Sequence, residues 1–209
     1  IKMVKEGALP DFFDRKQLFE IVNEKLLKAG YKRAGFESYV LPNDPIAIAR
    51  KEKKALFNSL GLQKGAATNF VSVGSSAKGS LGDDYYSHNC YSTIMYKQLL
   101  DEGKLPIYKG MKLTKDDKIR RHLVNDIRTY FKIDFQEIEN IFKINFREYF
   151  DKELSSLTEP VKDELVLISN ESLCITEIGK NFAPQIANFF DKYDPPSVSY
   201  NERLQRINK

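Results

Sequence analysis

Apolar residues recur every three or four positions in several segments of the chain, which is the pattern of amphipathic helices. The first of these segments begins at a capping pair, Asp14 and Gln17, and ends at Gly30, a residue type that commonly terminates helices. A short helix followed by a loop is expected within residues 42–62. Another helix is expected from about Tyr91 to Asp101.

Strand-like segments separate these helices. Residues 31–41 follow the first helix directly and end before Pro42, and residues 70–73 alternate between apolar and polar side chains. A helix followed directly by a strand, and then by further helical and strand-like segments, favours βα repeats. Such repeats build parallel sheets covered by helices. The sequence therefore predicts an α/β first half.

The pattern changes beyond residue 112, where helical spacing dominates. Thr114 and Asp134 predict two helix N-termini, and residues 146–157 predict a third helix. Residues 165–176 then alternate as a small hairpin, and a final helix follows. The polar segment 193–209 at the end of the chain is expected to be an extended arm.

This change divides the chain into an α/β part, residues 1–112, and a mainly helical part with a small β-hairpin wing, residues 113–209. Helices, a hairpin and a last helix follow the order of a winged-helix-like module. That order concerns packing and does not indicate DNA binding, because the last helix offers only Lys180 and Lys192 as cations.

The composition, with 42% hydrophobic and 30% charged residues, is that of a globular protein with a buried core. Cations and anions are interleaved within a net charge of +4, which indicates solvated helix faces rather than a nucleic-acid groove. No apolar run approaches the ~20 residues that a membrane-spanning helix needs, and no signal peptide is visible. Neither nucleic acid nor a membrane is expected as a partner.

The cysteines and histidines are few and isolated. Cys90 and Cys174 lie far apart, which fits a reducing cytoplasm and excludes an iron–sulfur or zinc site built from a local cysteine motif. His88 and His122 are equally isolated, and each is interpreted as a surface or packing residue rather than a metal ligand.

Residues 69–83, NFVSVGSSAKGSLGD, carry three glycines and the lone Lys78. Gly74 and Gly79 have the separation of a P-loop, but Ser80 and Leu81 stand where lysine and serine or threonine would follow. The dinucleotide pattern fails as well, because no glycine lies two positions before Gly79. By itself, the segment predicts a strand that ends in a glycine-rich turn and no phosphate loop.

Four segments taken together resemble one known family. They are GYKRAGFESYVLPNDPIAIAR (30–50), FVSVGSSAKGSLGD (70–83), KLTKDDKIRRHLVNDI (112–127) and LCITEIGKNF (173–182). In order and spacing they resemble the C-terminal half of the oxygen-independent coproporphyrinogen III oxidases, which are radical S-adenosylmethionine (SAM) enzymes of haem biosynthesis. The resemblance implies a partial radical-SAM barrel segment over residues 1–112, followed by the family's appended helical domain.

In that family a [4Fe–4S] cluster bound by CxxxCxxC reduces SAM, which yields a 5′-deoxyadenosyl radical. The radical removes hydrogen from two propionate side chains of coproporphyrinogen III. These side chains then lose CO₂ and become vinyl groups. The chain lacks such a cysteine motif and opens at Ile1 like the middle of a longer polypeptide. Cluster and SAM anchoring are therefore expected upstream, and the fragment alone is expected to bind neither cofactor and to be inactive. A truncated barrel exposes strand edges, so self-association or rearrangement is also expected.

The resemblance implies cofactor-binding positions at Phe57, Asn58, Ala77 and Lys78 and no catalytic residue in this chain. The family usually has Phe-Gln-Gly-Tyr-Thr where this chain has FNSLG (57–61), and an isoleucine that touches SAM where this chain has Lys78. The lysine either meets a carboxylate of SAM or of the porphyrinogen, or swings into solvent. The glycine loop is expected to line the cofactor pocket.

The leading hypothesis is an oxygen-independent coproporphyrinogen III oxidase that lacks its cluster-binding half. The alternative is a divergent paralogue with a haem-carrier or other radical-SAM role, although the segment 42–50 resembles the oxidase branch more closely. A nucleic-acid-binding winged helix is a third hypothesis. For the pair Arg120 and Arg121, either the guanidinium groups attract substrate propionates or, as we favour, one lies on the surface and the other ties its helix to a neighbouring acidic loop.

Overall fold

A computed structural model describes residues 9–58, 61–65, 69–82 and 84–193. Helices and short strands alternate through these residues, so the α/β character predicted from the sequence is confirmed. The first residues of the chain, the predicted extended arm after Tyr193, Asp83 of the glycine loop and the centre of the FNSLG segment lie outside the described residues.

The described residues of the first half form three helices: α1 (Phe12–Lys28), α2 (Pro45–Lys51) and α3 (Thr93–Asp101). Helix α1 begins earlier than the sequence predicted, because Asp11 rather than Asp14 is its N-cap. The Asp14 N–H donates to Asp11 Oδ1 at 2.9 Å, and the Asp11 N–H donates to Asp14 Oδ2 at 3.2 Å. This reciprocal pair is a capping box, so Asp14 is the N3 residue of the helix.

The strands of the first half form small antiparallel sheets. β1 (Lys32–Arg33) pairs with β2 (Tyr39–Val40), and β3 (Ala55–Asn58) pairs with β4 (Gly61–Lys64). A third sheet has the order β5 (Lys78–Leu81), β6 (Tyr85–Asn89) and β7 (Ile107–Lys112). Every strand pair among the described residues is antiparallel, so the predicted βα repeats with a parallel sheet are not formed there. The connections within the pairs β1–β2, β3–β4 and β5–β6 are too short to join parallel neighbours.

The predicted strand at residues 70–73 is wrong. Phe70 makes a single bridge to Ser80, while the side chains of Val71 and Val73 are 85% and 87% exposed. The regular strand lies further along, where β5 occupies the second half of the glycine segment. Alternating apolar residues misled the prediction because no second strand pairs with residues 71–73.

The second half begins with α4 (Lys115–Thr129) and β8 (Lys132–Asp134), followed by α5 (Phe135–Phe142) and three short helices. These are α6 (Phe146–Tyr149), α7 (Asp151–Ser156) and α8 (Thr158–Lys162). The hairpin β9 (Val166–Ile168) and β10 (Ser172–Ile175) joins β8 in an antiparallel sheet of order β8-β10-β9. Helix α9 (Ala183–Ala187) lies between the 3₁₀ turns Gly179–Phe182 and Asn188–Phe190.

The predicted helix N-termini of this half are confirmed. The Asp117 N–H donates to Thr114 Oγ1 at 3.2 Å, and the Glu137 N–H donates to Asp134 Oδ1 at 3.2 Å. The helix predicted over residues 146–157 is instead divided into α6 and α7 at Phe150, whose ψ of 26° departs from helical geometry.

The principal core lies in the second half, between α4, the β8-β10-β9 sheet and α5 to α9. Ile119, Leu123 and Ile127 present one face of α4 to this core and are completely buried. The rings of Phe135 and Phe146 stack with centroids 4.2 Å apart. Burial of side chains of this size is the main stabilising contribution to the fold. The opposite face of α4 is left for the site described next.

Candidate functional site

A cavity of about 1060 Å³ lies between the β5-β6-β7 sheet and the polar face of α4. Strand β3 and the end of α5 close its sides with Phe57 and Phe142. Four α4 residues with the spacing of one helix face line the cavity: Lys118, Arg121, His122 and Asn125.

The lining is cationic. Lys78 and Lys109 from the sheet and Lys118 and Arg121 from α4 belong to the lining, and no aspartate or glutamate does so among the described residues. Lys118 Nζ contacts Asp84 Oδ1 at 2.6 Å, and Arg121 donates to the Tyr86 hydroxyl at 3.3 Å. Cations that converge on a partly enclosed apolar space attract anionic ligands.

Asn125 fixes strand β3 at the edge of the cavity. Its Oδ1 accepts a hydrogen bond from the Phe57 N–H at 2.7 Å and another from the Thr129 hydroxyl at 3.2 Å. The Tyr130 hydroxyl holds the same strand by accepting from the Ala55 N–H at 3.0 Å and donating to the Ala55 carbonyl at 2.9 Å. These bonds keep Phe57 and Asn58 in the cavity wall.

His122 and Asp126 form a partly buried pair on α4. His122 Nε2 lies 3.6 Å from Asp126 Oδ2, and the Asp126 side chain is only 6% exposed. Burial raises the pKa of Asp126 to about 7 and lowers the pKa of His122. The edge of the His122 ring meets Phe142 at 5.5 Å between centroids. His122 is therefore a packing residue, as the sequence indicated, but one that also faces the cavity.

Three of the four predicted cofactor-binding residues, Phe57, Asn58 and Lys78, line this one cavity. Ala77 is not part of the lining; its carbonyl accepts from the Asn89 N–H at 2.9 Å. The glycine loop is divided in the same way. Lys78, Gly79 and Ser80 border the cavity, whereas the Gly74 N–H donates to the Tyr96 hydroxyl of α3 at 2.8 Å.

The structure separates the roles of the two adjacent arginines. Arg120 Nη1 lies 2.8 Å from Glu153 Oε1, and its Nε lies 2.9 Å from Asp116 Oδ1, so Arg120 ties α4 to α7. This contact agrees with the favoured interpretation. The other arginine, Arg121, was expected to lie on the surface. It borders the cavity instead.

Sequence reasoning missed several lining residues, namely Tyr108, Lys109, Lys118, His122 and Asn125. The signal for the α4 group was present, since polar residues at 118, 121, 122 and 125 share one helix face opposite the apolar stripe. For Tyr108 and Lys109 there was no comparable signal, because strand pairing alone brings β7 to the cavity.

Comparisons with known proteins give consistent relatives. The HemN C-terminal domain family model matches residues 113–182. Oxygen-independent coproporphyrinogen III oxidase of Pseudomonas aeruginosa is 30% identical over 206 residues, which are 99% of this chain and 44% of that protein. The Salmonella typhimurium enzyme of the same name is 30% identical over 208 residues, covering 100% of this chain and 44% of the enzyme.

A solved structure agrees with these relatives. Coproporphyrinogen III oxidase (HemN) from Escherichia coli, described as a radical SAM enzyme, superposes with a TM-score of 0.85 at 28% identity. The match covers 91% of this chain and 44% of that one. The chain is similar to the C-terminal part of the oxygen-independent coproporphyrinogen III oxidases. The resemblance stated from the four sequence segments is thereby confirmed.

The chain spans less than half the length of these relatives. Within the described ranges, no group of three or more histidine, cysteine, aspartate or glutamate side chains is arranged to hold a metal ion. Cys90 and Cys174 are both free thiols. None of the helices in the described part of the chain has the length and apolarity required to cross a bilayer.

Proposed function

We propose that this chain is the C-terminal part of an oxygen-independent coproporphyrinogen III oxidase, an enzyme of haem biosynthesis that converts coproporphyrinogen III to protoporphyrinogen IX by SAM-dependent oxidative decarboxylation. The supporting observation is the cavity, which combines aromatic walls with four lysine and arginine side chains and no lining carboxylate among the described residues. A porphyrinogen is a largely apolar macrocycle that carries carboxylates, so both properties match it.

Phe57, Asn58 and Lys78 are proposed to contact SAM in the longer parent, and Ala77 supports the same loop. The described residues fit part of this task, because Phe57 supplies an aromatic face and Lys78 a cation on opposite sides of the cavity. When bound, SAM and a [4Fe–4S] cluster supply the radical chemistry of this family. The only cysteines, Cys90 and Cys174, do not form the cluster motif, so we place cluster binding in another part of the parent.

The contribution of this chain is to bind and orient. The sheet and α4 hold opposite edges of the ligand, and Phe57 and Phe142 keep water from its apolar faces. Lys78 Nζ, for which no carboxylate partner exists among the described residues, is available to an anionic ligand group. We therefore favour the carboxylate-binding role of Lys78 over a solvent-facing one.

For the architecture, we propose a division near residue 112 into a radical-SAM barrel segment and a winged-helix-like domain. The winged-helix-like assignment is supported by the order of the elements, which is α4, β8, α5, the short helices, β9 and β10. It is also supported by the sheet order β8-β10-β9. We expect no specific nucleic-acid binding, since the helices before the hairpin carry Asp151, Glu153 and Glu159 beside their cations. A cytoplasmic location fits the two free thiols.

The deciding experiment uses the longer parent protein, reconstituted with its cluster and assayed with SAM and coproporphyrinogen III under anaerobic conditions. We expect harderoporphyrinogen and protoporphyrinogen to form. A Lys78→Ile variant tests the loop assignment: a change in the Michaelis constant for SAM or for the substrate identifies which ligand the lysine meets. If haem binds tightly while neither product ever appears, the alternative of a haem-carrier paralogue replaces the oxidase.

A further inference from the structure

Histidine is the side-chain type whose charge ordinarily changes near neutral pH. His122 has an arrangement that allows this change to matter. Its ring is held at the wall against Phe142, with Asp126 3.6 Å behind it and shielded from water. Lys118 and Arg121 precede His122 by four positions and one position on the same helix face, where they border the same space.

The other histidine of the cavity is fixed differently. His88 Nε2 lies 3.0 Å from the Ser76 carbonyl, and its Nδ1 lies 3.3 Å from the Tyr91 hydroxyl. Both ring nitrogens of His88 are therefore engaged by neutral groups of the loop and of the segment before α3. His122 instead has a carboxylate as its polar neighbour.

Four further groups surround the pair. Arg121 of α4 acts on His122, whereas Glu137 of α5 and Lys53, after α2, act on both members of the pair. Lys53 Nζ is 3.4 Å from Glu137 Oε2 and 4.7 Å from the Tyr130 ring centroid, so its charge is largely balanced locally. Asn125 adds a hydrogen bond to the Asp126 carboxylate.

We propose that the His122–Asp126 pair takes up a proton from solvent when a carboxylate of the ligand binds beside Lys118 and Arg121, so that binding of a polycarboxylate is linked to protonation of this pair. The proton is held by the pair as a whole, and no covalent bond to the ligand forms or breaks. The inference rests on the proposed function in one respect, namely that the ligand of the cavity carries carboxylates.

The titration behaviour of the pair supports this geometry. Because burial raises the pKa of Asp126 to about 7 and lowers that of His122, the empty pair is poised to gain a proton near neutral pH. An added anion within ~4–6 Å favours the imidazolium and raises its pKa by about 1–3 units. A ligand with more carboxylates near α4 therefore binds more tightly as the pH falls from 8 to 6.

The test uses this chain and coproporphyrin III, a stable oxidised tetracarboxylate, as the probe. The chain contains two histidines, so NMR titration resolves both imidazoles, and the His88→Gln and His122→Gln variants assign them. We expect the probe to raise the pKa of His122 by about 1 unit or more. Calorimetry in two buffers of different ionisation enthalpy should show uptake of up to about one proton per ligand at pH 7.

The variants test whether the proton uptake comes from the His122–Asp126 pair or from other residues of the cavity wall. His122→Gln should reduce the proton uptake and His122→Gln/Asp126→Asn should abolish it, whereas His88→Gln should retain it. Asp126→Asn provides a second variant in case His122→Gln folds poorly; its proton uptake should fall, because the imidazolium loses its carboxylate partner. Porphyrin binding without proton uptake would overturn the inference and leave the proposed function standing. No binding of the tetracarboxylate would also overturn it, while turnover by the longer parent would still decide the proposed function.

Discussion

Asp117 Oδ1 lies 2.6 Å from Lys192 Nζ, and this ion pair joins the first turn of α4 to the end of the described chain. The Asp117 side chain is 4% exposed, and Tyr193 donates to the same oxygen at 2.9 Å. Burial alone would raise the pKa of Asp117, but hydrogen bonds from Lys192 and Thr114 hold it far below its usual value. The pair therefore fixes the helix that carries the cationic wall of the cavity.

Replacing Lys192 by methionine should lower the free energy of unfolding by about 1–3 kcal/mol, because the nearly buried Asp117 loses its cation. Urea unfolding at pH 7 measures this loss. Lys104→Met is the matched control, since Lys104 pairs with Glu102 at 2.8 Å on the exposed surface, where such pairs contribute little to stability. Equal, small effects of the two substitutions would contradict the role given to Lys192.

The pH dependence of that contribution has a definite sign. Asp117 has a depressed pKa in the folded state, so its stabilising effect is present above the ordinary value of 3.8 and is lost as the pH falls below it. The difference between the wild type and Lys192→Met should consequently narrow below about pH 4. A constant difference down to pH 2 would assign the effect to packing of the lysine stem instead.

Asp126 should produce the opposite trend. Its folded-state pKa of about 7 lies above the ordinary 3.8, so its contribution is fully present below pH 3.8 and is lost as the pH rises through 7. Asp126→Asn mimics the protonated acid, and its stability relative to the wild type should increase between pH 5 and pH 8 by a few kcal/mol, taking ~1.4 kcal/mol per unit.

His122 has to be separated from this measurement, because its pKa is lowered by burial and its contribution falls as the pH drops through 6.5. The His122→Gln background removes that titration. Thermal melts of His122→Gln and His122→Gln/Asp126→Asn over the same pH range isolate the aspartate. If the two curves run parallel, Asp126 is ionised throughout and the burial argument fails.

Gly179 is required by close packing of the chain after β10. A Cβ at this position would lie 2.0 Å from the Leu165 carbonyl oxygen, which belongs to backbone and cannot rotate away. Gly179→Ala should therefore destabilise the protein by about 3 kcal/mol or more, judged by overpacked cores. Gly110→Ala is the control, since its Cβ would meet the Tyr86 carbonyl at an ordinary 3.6 Å. A similar melting temperature for both variants would show that the chain shifts freely at Gly179.

The sequence predicted correctly those helix ends that are fixed by hydrogen bonds between residues close together in the chain. Thr114 and Asp134 act as N-caps because their oxygens meet N–H groups three residues away, which is a relationship within the sequence. The apolar stripe of α4 also followed from periodicity, and so did the hairpin that becomes β9 and β10.

The cavity could not be predicted in the same way, because its walls meet through contacts between distant segments. Phe57 reaches it only because Asn125 accepts its N–H, 68 residues along the chain. Residues expected to form a loop after α2 became β3 and β4, since pairing between Leu56 and Gln63 satisfies their backbone groups. Lys78 was singled out by the resemblance, whereas its facing partners Lys118 and His122 appeared only in the fold.

The exposed apolar side chains of the first half predict self-association of this chain. Val71, Val73, Ile94 and Leu105 are each at least 78% exposed. Contacts connect their segments: the Gly74 N–H reaches the Tyr96 hydroxyl of α3, and the Cys90 N–H donates to the Pro106 carbonyl at 2.8 Å. Burying such surface against a second copy is favourable by ~25 cal/mol per Å² of apolar area. Sedimentation velocity at micromolar concentrations should therefore show species larger than a monomer.

Two charged substitutions test which surface is responsible. The double variant Val73→Lys/Leu105→Lys should sediment as a monomer, because each lysine would have to be desolvated in the contact. Leu167→Lys is the control: Leu167 is also well exposed, at 62%, but belongs to β9 in the other half of the chain. If Leu167→Lys disrupts the assembly and the double variant does not, self-association uses the C-terminal hairpin. In that case the exposed side chains around α3 have another role.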